Sequence, residues 1–155
     1  MPTAHKGSPA EVAALDAYIK LMRAAETVTS RAHGNLGDLT ITQFGVLEAL
    51  YHRGPLCAGD IAKKILKSAG NLTLVLSNLE RDGLIARERD RSDARRWIIS
   101  LTKTGRNRIA ALFPQVAASI TAEFSHLSPA EQAMLGELCK KLGRGRSDVS
   151  SALRS

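Results

Sequence analysis

The densest charge in the sequence lies at Asp90-Arg91-Ser92-Asp93-Ala94-Arg95-Arg96, a run in which Ala94 is the one apolar residue. Arginines at the tip of a loop can enter a DNA minor groove, whose negative potential attracts a guanidinium. The two aspartates would repel phosphates if they stood alone. They make sense as partners that hold an arginine in one geometry, so that less side-chain freedom is lost on binding. Asp93 is accordingly expected to orient Arg95, against the plainer reading of an isolated surface ion pair that contributes little. Upstream, Ser68, Asn71, Thr73 and Ser77 form a second polar set. Asn suits adenine, and Ser and Thr serve bases or phosphates. On a helix these four leave Leu72, Val75, Leu76 and Leu79 free to pack inward. The competing reading is a surface helix with an ordinary polar face.

Charge placement favours a nucleic-acid partner. The net charge is +7, and twelve Lys/Arg stand against six Asp/Glu between Asp60 and Arg108, while the rest of the chain is nearly balanced. A localised positive field is what a phosphate backbone selects, because neutralised phosphates release counterions. A solvated basic face without a partner has the same composition, so charge does not decide between them.

Other chemistries lack their residues. Cys57 and Cys139 have no CxxC spacing and no His at ligand distance in sequence, which argues against an ordinary zinc site and against a disulfide framework. His5, His33, His52 and His126 are scattered, and no nucleophile elbow, Gly-rich phosphate loop or HExxH is present. No catalytic residue, metal or cofactor is expected. Apolar runs are broken well before the roughly 18 residues of a membrane span, and residues 1–9 lack an apolar signal-type run. A cytoplasmic protein with no membrane partner is the expectation.

The elements that would position these residues follow from periodicity. Pro9 to about Ala32 reads as a long amphipathic helix through Val12, Leu15, Ile19, Met22, Ala25 and Val28. Thr40 and Gln43 form a capping-box pattern for a second helix that Gly54-Pro55 stops. A short third helix spans about Ala58 to Leu66. A fourth, with Ser68 as its cap, ends at Gly83. The period then changes: Leu84–Arg89 and Trp97–Thr102 read as two antiparallel strands joined by the charged loop. The helical period returns from Lys103 with Pro114 inside it, and Ser128-Pro129-Ala130-Glu131 starts a last helix. The fold expected is mainly α with a small β-hairpin. It forms a single domain over 1–155: a helix-turn-helix lobe at 40–102, terminal helices at 10–33 and 103–142, and a fraying tail at 143–155.

The third and fourth helices have helix-turn-helix spacing, in which the second helix enters the major groove. Taken in order, Ser68–Asn71, Asn78-Leu79-Glu80-Arg81-Asp82-Gly83-Leu84-Ile85, Arg89–Arg96 and Leu101-Thr102-Lys103-Thr104-Gly105 resemble the MarR family of bacterial regulators. Thr42–Leu47 fits the family's second helix, and the resemblance covers roughly Ala10 to Leu142. It implies a winged-helix fold, a homodimer built by the terminal helices, and a near-palindromic operator in double-stranded DNA. It also implies that the wing's Asp-x-Arg pair, here Asp93 and Arg95, places an arginine in the minor groove beside Arg91 and Arg96. Where the family usually has Ser or Thr before its third helix, this chain has Cys57.

Many proteins of the family release DNA when a small aromatic or phenolic compound binds, or when a cysteine is oxidised. His33, Tyr51 and His52 are candidates for such a pocket. Gln43–Leu56 and Lys64–Glu80 resemble, more loosely, a branch that responds to quinones. Cys57, near a helix N-terminus, is the candidate redox residue, with burial as a small packing group as the alternative. Cys139, beside Leu138, is expected to pack. The expected function is thus a repressor released by ligand or oxidation. The rival is a winged-helix protein-interaction module without DNA binding.

Overall fold

The computed structural model describes residues 4–65 and 69–152. Its elements run α1 (Pro9–Ala32), α2 (Ile41–Arg53), β1 (Leu56–Cys57), α3 (Ala58–Ile65), α4 (Ala69–Arg81), β2 (Ile85–Arg89), β3 (Trp97–Leu101), α5 (Lys103–Phe124) and α6 (Pro129–Ala152). This is a mainly helical winged-helix fold.

The helix starts follow from local chemistry. Thr40 Oγ1 accepts the Gln43 N–H at 3.1 Å while Gln43 Oε1 accepts the Thr40 N–H at 2.9 Å, so two orphan donors of α2 are satisfied reciprocally. Ser8 with Glu11, and Ser128 with Glu131, do the same for α1 and α6. The N-cap proposed at Ser68 lies outside the described residues.

The sheet has three strands in the order β1-β3-β2, all antiparallel. Sequence periodicity anticipates only the β2–β3 hairpin. The third strand is the two-residue β1, with Leu56 opposite Ile99 and Cys57 opposite Ile98. Two residues are too few to show a period of two, and this strand exists only because the sheet edge is there to pair with.

The chain divides into two compact units, Met1–Ser119 and Ile120–Ser155. In the first, Phe44, Leu47 and Leu50 of α2, Ile61 of α3, Leu72 and Leu79 of α4, Ile99 of β3 and Ile109 of α5 are buried and form one core. The junction of α4, β2 and α5 is especially tight. Gly83, at φ +72°, ends α4: its N–H bonds Glu80 O, and the Leu84 N–H bonds Leu79 O at 2.9 Å. The Thr102 hydroxyl donates to Gly83 O at 2.6 Å and accepts the Gly105 N–H at 3.0 Å, tying the start of α5 to that turn. A Cβ on Gly105 would lie 1.9 Å from the Leu84 carbonyl oxygen, so no larger residue fits.

In the second unit, Gln132 Nε2 donates to Phe124 O and Leu127 O, closing the turn between helices. The α6 backbone continues to Ala152, through the stretch where the sequence suggests a fraying tail from Gly143. An isolated glycine costs a helix only about 1 kcal/mol and does not terminate it. Residues 153–155 lie outside the described set.

Candidate nucleic-acid interface

α4 presents one face to the core and one to solvent. Leu72, Leu76 and Leu79 are buried, whereas Asn71, Thr73, Leu74, Ser77 and Arg81 are exposed. Ser68, proposed with them, falls outside the described residues. Ser77 has a structural partner: its Oγ accepts from Arg87 Nη2 of β2 at 3.2 Å. Arg87 Nε stands 2.9 Å from Glu80 Oε2, an ion-pair approach in which the N–H is not aligned for a hydrogen bond. With its side chain only 25% exposed, Arg87 pins the outer side of α4 to the first strand of the hairpin.

The hairpin tip is built by its aspartates. Asp90 Oδ1 accepts the Ser92 N–H at 3.0 Å and the Ser92 hydroxyl at 2.8 Å. These bonds, the backbone one foremost, hold the Asp90 carboxyl below its ordinary range. Asp93 Oδ1 accepts the backbone N–H of Arg95 at 3.0 Å, and its carbonyl accepts the Arg96 N–H at 2.9 Å. The anticipated Asp93–Arg95 coupling therefore runs through the main chain, as an Asx turn, and not through the guanidinium.

The arginines divide into two groups. Arg89 donates to Ala94 O at 2.7 Å and stacks 4.1 Å from the centroid of the Trp97 ring, so it stiffens the loop. Arg96 donates to Cys57 Sγ at 3.2 Å, a bond that raises its pKa further, with the Asp90 and Asp60 carboxylates adding to the shift. Arg91 and Arg95 are exposed, and among the described residues their guanidinium groups have no hydrogen-bond or ion-pair partner. Two cations at the tip are thus unengaged while two neighbours serve the loop itself.

Cys57 sits in β1, directly before α3. Its thiol donates to Asp60 Oδ2 at 3.0 Å while its sulfur accepts from Arg96. Cys139, expected to pack, is exposed on α6 in the single chain.

A cleft of about 660 Å³ lies beside α2, lined among others by His33, Phe44, Glu48, His52, Arg53 and Lys64. His33 meets Phe44 edge-on with centroids 5.4 Å apart, and His52 meets Phe113 at 4.6 Å. Tyr51 does not line this cleft: it packs on the core, edge-on to His52 and 5.9 Å below the Arg106 guanidinium. Among the described residues no cluster of His, Cys, Asp and Glu could hold a metal ion, and no helix is long and apolar enough to cross a membrane.

The MarR family model matches residues 39–97. YkoM of Bacillus subtilis, an uncharacterized HTH-type transcriptional regulator, is 38% identical over 136 residues, covering 84% of this chain and 86% of YkoM. The chain belongs to the MarR family. It is a DNA-binding transcription regulator of winged helix-turn-helix type, in a family of regulators and not of enzymes. Among solved structures, Bordetella bronchiseptica BpsR, whose DNA binding is regulated by 6-hydroxynicotinic acid, superposes with a TM-score of 0.75 at 26% identity, over 83% of this chain and 98% of BpsR. MepR of S. aureus, solved as a DNA complex, superposes with a TM-score of 0.70 at 31% identity, over 82% of this chain and 96% of MepR.

Within this MarR-type regulator, sequence reasoning passes over three residues that shape the interface. Arg87 and Arg89 read as generic basic residues of a strand, and their partners are found only in the tertiary structure. Leu74 is apolar and stands outside the polar set that residue type picks out on α4. Its helical position had a signal: it shares a face with Ser77 and Arg81, three and seven residues on, and not with Leu72 and Leu79.

Proposed function

We propose that this protein is a repressor that binds a near-palindromic operator as a homodimer. In this reading α4 enters the major groove with Asn71 and Thr73 facing base edges, and the hairpin loop carries Arg91 and Arg95 to the flanking minor groove. The observation that carries it is the division among the loop arginines: internal bonds engage Arg89 and Arg96, and the tip pair is left available. Ser77 and Arg96 then act by fixing the reading elements in place. Dimerisation is supported by large apolar side chains left exposed on α1 (Val12, Leu15, Met22) and on α6 (Met134, Leu138, Leu142). Half-sites should lie about 10 base pairs apart, centre to centre.

The test is a fluorescence-anisotropy titration of operator fragments across a salt series. Arg95→Ala should cost about tenfold or more in affinity and flatten the salt dependence, and Asp93→Ala should cost less in the same direction. Equal binding by wild type and Arg95→Ala would reject the assigned role of the loop.

Release is assigned to a small aromatic effector in the cleft beside α2. Its volume is in the range of small-molecule sites, and His33, His52, Arg53 and Lys64 suit an aromatic or phenolic anion. Heat released on titrating aromatic acids, phenols and quinones into the dimer would support this, and its absence across the series would remove it. A second route rests on Cys57: peroxide would oxidise its thiol to a sulfenic acid, itself reduced to water, and disturb the hold on Arg96. Cys57→Ser should then keep operator binding but ignore peroxide. A variant as peroxide-sensitive as wild type would count against it.

A further inference from the structure

Leu74 is 66% exposed on α4, in the middle of the face turned away from the core. Single exposed leucines are common on protein surfaces and mean little by themselves. Here the setting is restrictive. Asn71, Ser77 and Arg81 surround Leu74 on the outer half of the helix, and all are polar. The Arg87–Ser77 hydrogen bond and the Arg87–Glu80 ion pair lock the helix against rotation, so Leu74 cannot turn inward without disrupting them. The core beneath is already filled by Leu72, Leu76 and Leu79.

A major groove offers one apolar feature to such a side chain, the C5 methyl group of thymine. We propose that Leu74 is a specificity-determining residue that reads thymine by packing on that methyl group. Cytosine is disfavoured at the same position twice over: it lacks the methyl, and an apolar neighbour leaves its N4 amino donor without a partner. This inference rests on the reading of α4 as the groove-entering element, and it adds a base identity to that reading.

The experiment begins with duplexes selected from a random-sequence pool by the full-length protein. The best-bound duplex is then resynthesised with each thymidine in turn replaced by deoxyuridine, which deletes only the C5 methyl. Wild-type affinity should fall by about fourfold at one thymine of each half-site, the loss expected for one buried methyl group. Leu74→Ala should bind the thymine and uracil duplexes equally at that position, with an unchanged melting temperature, because the side chain is exposed. If wild type and Leu74→Ala lose affinity at the same positions by the same factors, the assignment is overturned. If the protein selects no sequence from the pool, the groove reading of α4 falls, and this inference with it.

Discussion

The helix-turn-helix lobe and the terminal helices treat their apolar residues in opposite ways. Between Leu36 and Ile109, side chains from α2, α3, α4, β3 and α5 are buried in one core, and Phe44, Leu47 and Ile61 are shielded from water almost completely. α1 buries only Ala32, although Val12, Leu15, Ile19, Met22, Ala25 and Val28 recur along it at steps of three and four. On α6, Met134, Leu138 and Leu142 repeat at every fourth position and all stay exposed. A hydrophobic stripe thus says that a face will be covered, but not that the same chain will cover it. In the lobe the cover is internal. For the outer helices a second copy of the chain is the proposed cover, since duplicated reading heads are what a near-palindromic site requires.

Three changes would test this contrast, taken from the largest effect down. Gly105→Ala should unfold the lobe at ordinary temperatures or come close to it. Its methyl group would collide with the backbone at Leu84 O, which cannot swing aside as a side chain can. A loss of about 3 kcal/mol or more is expected, and chemical denaturation followed by circular dichroism measures it. Near-wild-type stability would show that the α4–β2–α5 junction is looser than described.

Leu138→Glu should leave the lobe folded and break the proposed pairing instead. One leucine lost from each side of a two-fold interface removes about 4 kcal/mol, or about a thousandfold in the dimer dissociation constant. Sedimentation velocity should then find monomer at concentrations where wild type is dimeric, and operator affinity should fall with it. Unchanged sedimentation would count against α6 as the paired face.

The smallest effect concerns Asp38, whose carboxyl bonds the Arg108 guanidinium of α5. That bond holds the Asp38 pKa below its ordinary value. A carboxylate with a lowered folded pKa stabilises the fold at pH values above its unfolded pKa, and the contribution is lost as pH falls through the folded value. Asp38→Asn should therefore lower the melting temperature slightly at pH 7, and the difference should narrow as pH falls through the folded pKa. Both residues are substantially exposed, so the difference should be small and should shrink in high salt. A gap that does not narrow on acidification would point to a cause other than charge.

Most of the element order was legible beforehand because its signals are local. The capping boxes at Thr40–Gln43 and Ser128–Glu131, the stop at Gly83 and the switch from a period near four to a period of two each involve residues a few positions apart. The expected pairing of Asp93 with Arg95 reaches only the backbone N–H, a contact that residue type does not specify. The face of α4 is only partly legible: Asn71 and Thr73 stand exposed, Ser77 is tied to Arg87, and Leu74, apolar by type, lies outside the polar set.

By itself the sequence determined that this chain would form helices, a charged hairpin and an uneven positive surface, since propensity, capping and periodicity act over one or two turns. Only the tertiary structure decided how those parts are used. Arg96 and Cys57 are 39 positions apart, Arg87 and Ser77 ten, and Gly105 meets Leu84 only after α5 returns to the sheet. Which arginine is engaged and which is left available depends on such distant neighbours. No local pattern encodes them, because each contact forms only when the common core brings its two partners together.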